Sequence, residues 1–238
     1  MLKPRHFLDG AFCQQEKRPD IIFKMKAVLF DQDGTLLDSA PGIKRCAIAT
    51  LQAMRLPLIP YDNLDFFIGP PLRDCFRLCH VPESRIEEAV KIYREKYEGS
   101  GNGYLDATIY PQIDELLKTL RQNDIKTYVC TSKAEPLALM ILNAFHLSTL
   151  FDGVYGASLD GSLATKSDII HHCLSNENLH HDAIMVGDTV LDLRGAAANG
   201  IPFFGVAWGY GEKETMLQEG AKKLFSSVSA LKDAILSH

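Results

Sequence analysis

Short apolar runs recur along the chain, separated by stretches in which apolar positions return every three or four residues. Ala27-Val28-Leu29-Phe30, Thr127-Tyr128-Val129-Cys130 and Ala183-Ile184-Met185-Val186-Gly187 contain no charge, as strands covered on both faces require. With a fourth run they predict strands at about 26–31, 125–131, 183–187 and 201–206, with helices between them. That alternation predicts an α/β fold built on a doubly wound, mostly parallel, Rossmann-like sheet. Ligands of such sheets bind in the crevice beyond the carboxyl ends of the strands.

One stretch breaks the alternation. From Ser39 to about Tyr104 no strand pattern appears, while Pro41 starts one helical segment, Pro70-Pro71 precede another, and Ile86, Ala89, Val90, Tyr93 and Tyr97 trace the apolar stripe of a third. The pattern predicts an all-helical cap domain over 40–104, inserted into a core domain made of 25–39 and 105–238. The loop Gly99-Ser100-Gly101-Asn102-Gly103 is the expected hinge at its end. Residues 1–24 are polar, carry Lys3, Arg5, Lys17, Arg18 and Lys24, and show no periodicity, so they are expected to be a loosely attached extension or an overcalled start.

Composition narrows the partners. The 238 residues are 46% hydrophobic and 23% charged with a formal charge of −5 and no basic cluster, which disfavours nucleic acid and acidic membrane surfaces and leaves a small molecule. No apolar run approaches a membrane span and no signal peptide is visible, so a cytoplasmic monomer or small homo-oligomer is expected. The six scattered cysteines fit reduced thiols. Cys75, Cys79 and His80 match no zinc spacing, and His171-His172 and His180-His181 read as solvated positions.

The chemistry lies at the strand ends. Asp31 and Asp33 follow the first strand directly, where the chain turns at Gly34, so both carboxylates can face the crevice. An Asp-Gly turn alone would give the same pentapeptide. An EF-hand would not, because Leu36 and Gly42 stand where that loop needs glycine and glutamate. Thr131 and Ser132 end the second strand with hydroxyls suited to a phosphate or to a helix cap. Lys166 opens a helix against the macrodipole, either solvated or compensated by an anion. Asp188 and Asp192 add two acids at the same sheet edge, four residues apart and able to approach on one helical turn. Like charges so placed are unfavourable unless a cation or a proton sits between them, and an oxygen-only cluster suits Mg²⁺ rather than zinc.

Asp31-Gln32-Asp33-Gly34-Thr35-Leu36-Leu37-Asp38-Ser39, Thr131-Ser132-Lys133, Lys166 and Gly187-Asp188-Thr189-Val190-Leu191-Asp192, in this order, resemble the four motifs of the haloacid dehalogenase superfamily of phosphohydrolases. Asp38-Ser39-Ala40-Pro41, the helical insertion, Gly69-Pro70-Pro71-Leu72 and Trp208-Gly209-Tyr210-Gly211 are similar to the phosphoglycolate phosphatase group. Gln32 departs from the apolar residue usual there.

The resemblance implies a Mg²⁺-dependent phosphatase acting on a small phosphorylated metabolite, with Asp31 as nucleophile and site of an aspartyl phosphate and Asp33 as general acid and base. It implies Mg²⁺ on Asp31, the Asp33 carbonyl and Asp188, and phosphate oxygens on Thr131, Ser132 and Lys166. Asp192 would orient Lys166 or a metal-bound water. In the cap, Arg45, Arg73 and Arg77 are candidates for a second anionic group of the substrate, or solvated helix arginines. A phosphomutase or nucleotidase would keep the same residues. A dehalogenase has no use for Asp33, a phosphonate hydrolase would need a cap lysine such as Lys44, and a non-catalytic binding module would not need the complete acid set.

Overall fold

The first strand, β1 (Ala27–Phe30), turns Val28 and Phe30 to one face and Ala27 and Leu29 to the other, all fully buried. This double coverage is why the run contains no polar residue, and burying Val28, Leu29 and Phe30 contributes about 2 kcal/mol each. Then come β2 (Leu37–Asp38), α1 (Ala40–Ala53), α2 (Leu72–Leu78), α3 (Ile86–Tyr97), β3 (Thr108–Ile109) and α4 (Ile113–Gln122). The remainder alternates: β4 (Lys126–Ala134), α5 (Glu135–Ala144), β5 (Gly153–Ala157), α6 (Lys166–Asn176), β6 (Ala183–Gly187), α7 (Val190–Ala198), β7 (Phe203–Val206), α8 (Lys213–Gln218), β8 (Leu224–Phe225) and α9 (Val228–Leu236). These elements come from a computed structural model that describes residues 25–179 and 182–238. The expected extension over 1–24 and the pair His180-His181 lie outside the described residues.

Six strands form one parallel sheet in the order β5-β4-β1-β6-β7-β8, so the fold is the α/β, Rossmann-like sheet expected. Helices α4, α5 and α9 pack on one face, and α6, α7 and α8 on the other. Two strands escape the apolar pattern: β5 is diluted by Gly153 and Gly156, and β8 has two residues. β4 runs further than expected, to Ala134, because β5 keeps pairing with it through Thr131↔Gly156 and Ala134↔Ala157. Ser132 and Lys133 are left outside the ladder as a bulge.

Everything between β2 and β3 is helical or irregular among the described residues. Pro41 lies in the first turn of α1, and α2 starts directly after Pro71. α3 buries Ile86, Ala89, Val90, Tyr93 and Tyr97, the stripe its periodicity marks. Phe67, Phe76, Tyr93 and Tyr97 pack ring against ring, with centroids 5.2–6.3 Å apart. The ends of the segment differ from expectation. β2 and β3 pair antiparallel (Leu37↔Ile109, Asp38↔Thr108), and residues 103–106 pack on α1, so the helical part runs on to that ribbon. In the glycine loop expected as hinge, Glu95 accepts hydrogen bonds from the Ser100 N–H and hydroxyl.

Candidate active site

Asp31 and Asp33 follow β1, Thr131, Ser132 and Lys133 end β4, Lys166 opens α6, Asp188 follows β6, and Asp192 lies in the first turn of α7. The parallel sheet delivers all of them to its carboxyl edge. The turn after Asp33 needs glycine twice over, because Gly34 has φ +82° and a Cβ there would sit 2.3 Å from Asp188 Oδ2. That contact lets the loop lie on the Asp188 carboxylate. Thr35 Oγ1 donates to Asp188 Oδ1 at 3.1 Å, and the Tyr210 N–H donates to Oδ2 at 2.8 Å. Tyr210 also donates from its hydroxyl to Asp38 in β2 at 2.6 Å, and Trp208 Nε1 donates to the Thr35 carbonyl at 3.2 Å.

Lys166 finds two anions. Its Nζ lies 2.8 Å from Asp31 Oδ1 and 2.9 Å from Asp192 Oδ1, and it donates to the Cys130 carbonyl at 3.0 Å. Asp192 is fully buried, and its second oxygen accepts from the Thr189 N–H and hydroxyl at 3.1 and 2.7 Å. Asp188 and Asp192 approach as expected, with carboxylate oxygens within 4.8 Å, but not across a turn of one helix. α7 begins only at Val190, and Asp188 remains in the strand-to-helix connection.

Lys133 was not singled out for a role by its sequence context. The β4 bulge carries it toward the first motif, where its Nζ lies 3.0 Å from Asp33 Oδ2. Thr131 Oγ1 accepts from the Lys133 N–H at 3.3 Å within the bulge. Gly156 makes the bulge possible, since a Cβ there would come within 2.6 Å of the Lys133 carbonyl and of Glu135. A glycine facing a strand-end lysine was the available signal, and it reads like ordinary strand dilution.

The site holds four carboxylates, Asp31, Asp33, Asp188 and Asp192, against two ammonium groups, Lys133 and Lys166. Burial pushes the Asp31 carboxyl up to about 6 despite Lys166, with Asp192 and Asp33 adding to the rise. Burial, Asp192 and Asp31 together push Asp188 up to about 7. Burial would lower both lysines, but Asp192 and Asp31 hold Lys166 above its ordinary value, and Asp33 and Tyr97 do so for Lys133.

Oxygens of Asp31, Asp188 and Asp192 lie within 4.8 Å of one another. Such an oxygen-only, negatively charged donor set fits a hard divalent cation. Both Asp192 oxygens are engaged by Lys166 and Thr189, while each Asp188 oxygen accepts one neutral hydrogen bond, from Thr35 or from the Tyr210 N–H, and only one Asp31 oxygen meets Lys166.

The candidate substrate cations are each engaged by an acidic neighbour. Arg45 pairs with Asp106, Arg73 pairs with Glu87 at 2.6 Å, and Arg77 bridges Asp74 and Glu83 at 2.7 and 2.8 Å, each in an exposed ion pair. Lys44 is buried, 2.5 Å from Asp65 and over the Tyr61 ring. Ser132 is half-buried in the bulge. Gln32 is fully buried with neither end of its amide hydrogen-bonded. Cys75 and Cys79 are buried free thiols beside an exposed His80, and the acid trio is the one potential metal cluster among the described residues.

Residues 28–206 match the haloacid dehalogenase-like hydrolase family, and the chain belongs to it. It is 33% identical over 221 residues to a 5'-nucleotidase of Pseudomonas aeruginosa, covering 92% of this chain and 99% of that one. It is 39% identical over 188 residues to the tyrosine-protein kinase PtkA of Mycobacterium tuberculosis, covering 79% of this chain and 64% of that longer protein. A phosphoglycolate phosphatase of Nitrosospira multiformis is 32% identical over 196 residues, with coverages of 79% and 86%. Among solved structures, that of a predicted phosphatase from Clostridium acetobutylicum superposes with a TM-score of 0.82 at 34% identity, over 90% of this chain and all of that one.

Proposed function

We propose that this chain, a phosphatase by family and relatives, hydrolyses a small phosphate monoester through an aspartyl phosphate on Asp31, with Mg²⁺ as cofactor and phosphoglycolate-like metabolites as the leading substrate class. The observation that carries the reading is the pair Asp31 and Asp33 at the sheet edge, one carboxylate on Lys166 and the other on Lys133. Asp31 attacks phosphorus, forming the O–P bond as the bond to the leaving oxygen breaks. Asp33 protonates that oxygen and then takes a proton from the water that cleaves the acyl phosphate.

An anion approaching a phosphate meets repulsion of about 4 kcal/mol per charge pair at 4 Å and an effective dielectric of 20. Lys166 offsets part of it at Asp31, and Thr131 donates to a phosphate oxygen. Asp31, the Asp33 carbonyl and Asp188 would hold Mg²⁺, which when bound supplies the remaining positive charge. Asp192 holds Lys166 in place, and the helical segment over the sheet edge keeps bulk water out during the first step.

No described helix is long and apolar enough to cross a membrane, and a diffusible metabolite suits the reading. The test is a screen of phosphorylated metabolites with Mg²⁺, led by 2-phosphoglycolate, sugar phosphates and nucleoside monophosphates, with Asp31→Asn as control. Release of inorganic phosphate by the parent without a bisphosphate activator supports a hydrolase. Stoichiometric isomerisation would show a mutase, and no Mg²⁺-dependent turnover of any substrate would reject the reading.

A further inference from the structure

Asp33 is held by one oxygen only. Its Oδ2 takes the Lys133 ammonium at 3.0 Å, while its Oδ1 is buried with no hydrogen-bond partner. An acid that must hand a proton to a leaving oxygen needs that geometry, one oxygen anchored and one free. Lys133 has the attributes of an anchor. Its side chain is 10% exposed, it emerges from the bulge where β4 leaves its ladder, and Asp33 is its carboxylate partner.

A second element fixes Lys133 from the opposite side. The Tyr97 ring, at the end of α3, lies under the ammonium at 4.9 Å, and the Tyr97 hydroxyl is 3.4 Å from Nζ. Tyr97 is itself stacked on Tyr93 at 5.6 Å within the aromatic cluster of the helical segment. The strand edge aims Lys133, and the helical segment holds it there.

We propose that Lys133 is the positioning residue that sets the Asp33 carboxylate for proton transfer, and that Tyr97 holds Lys133 in that position when the helical segment sits on the core. The inference rests on the acid and base role of Asp33 given above. Asp33 stays oriented through a charged hydrogen bond rather than turning freely, and this alignment exists only with α3 in place.

The test compares two substrates, an aryl phosphate whose leaving group needs little protonation and an alkyl phosphate whose leaving group needs it fully. First-step bursts and steady-state constants are measured for the parent, Asp33→Asn, Lys133→Met, Lys133→Gln, Lys133→Arg and Tyr97→Phe, with a melting curve for each. Lys133→Met and Lys133→Gln should lose at least tenfold more rate on the alkyl than on the aryl phosphate, with KM unchanged. Lys133→Arg should recover part of the loss, and Tyr97→Phe should shift in the same direction by a smaller factor.

Equal losses on both substrates would overturn the inference, as would a raised KM with unchanged kcat, which would make Lys133 a substrate-binding group. If Asp33→Asn separates the substrates and the Lys133 variants do not, the inference fails alone. If Asp33→Asn does not separate them either, the acid and base reading fails with it. A Lys133→Met protein that does not fold leaves the decision to Lys133→Gln and Tyr97→Phe.

Discussion

Metal-free protein should become less stable as pH rises from 5 to 8, and Mg²⁺ should remove that loss. The folded-state values of Asp31, about 6, and Asp188, about 7, both lie above the 3.8 of an unperturbed aspartate. Between those limits the folded protein binds more protons than the unfolded chain, so unfolding free energy falls with rising pH, the reverse of a salt-bridged carboxylate. Integrated from pH 5 to 8, the Asp31 shift contributes about 1 kcal/mol and the Asp188 shift about 2–3 kcal/mol, some of it shared because the two repel each other. A cation between them takes the place of those protons. At a hundredfold excess over its dissociation constant it adds about 2.7 kcal/mol, and far less at pH 5, where protons compete.

The assay is urea unfolding at pH 5, 6, 7 and 8, with EDTA and then with Mg²⁺, followed by far-UV circular dichroism and by the fluorescence of Trp208. Trp208 is the single tryptophan of the chain and donates to the carbonyl of Thr35, beside the site. Asp188→Asn should flatten the metal-free slope and abolish the Mg²⁺ effect. Metal-free stability that stays level or rises over this range, or a Mg²⁺ increment equal at pH 5 and pH 8, would refute the electrostatic reasoning.

Asp31→Asn should reduce turnover to background in a phosphate-release assay while leaving the melting temperature unchanged or higher, since a buried charge is removed from an acidic cluster. Gln32→Leu should raise unfolding free energy by about 1–3 kcal/mol in urea titrations, because it replaces a fully buried amide with no hydrogen-bond partner by an apolar side chain of similar size. Gly156→Ala should cost about 1–3 kcal/mol by the same titration and lower kcat, since its methyl would press on Lys133 and Glu135 and shift the bulge.

Much of the fold was legible because β1, β4 and β6 are covered on both faces, and such strands must be continuously apolar. β5 was not, as Gly153 and Gly156 are there for close approach to neighbours rather than for packing. Asp31, Lys166, Asp188 and Asp192 could be placed together because parallel strands deliver their carboxyl ends to one edge, and the structure does bring them there. Lys133 could not, because its position depends on a two-residue departure from the ladder that no periodicity encodes. Arg45, Arg73 and Arg77 show the opposite limit. A positive charge on a helix says nothing about which carboxylate it will meet, and each had an acidic neighbour close at hand.

The position of β1 in the sheet also bears on how the protein is made. Its register partners are β4, starting at Ala27↔Lys126, and β6, starting at Ala27↔Ala183, both far downstream. At a translation rate of about 5–20 residues per second, the first of these leaves the ribosome roughly 5–20 s after β1, and the second later still. For that interval the strand that leads into Asp31 is an unpaired apolar segment with both edges open, the form most exposed to aggregation and to chaperone capture. The helical stretch between β2 and β3 packs chiefly on itself, α1 against α3 and residues 103–106, and is complete before β4 emerges, so it is the part of the nascent chain able to fold while β1 waits.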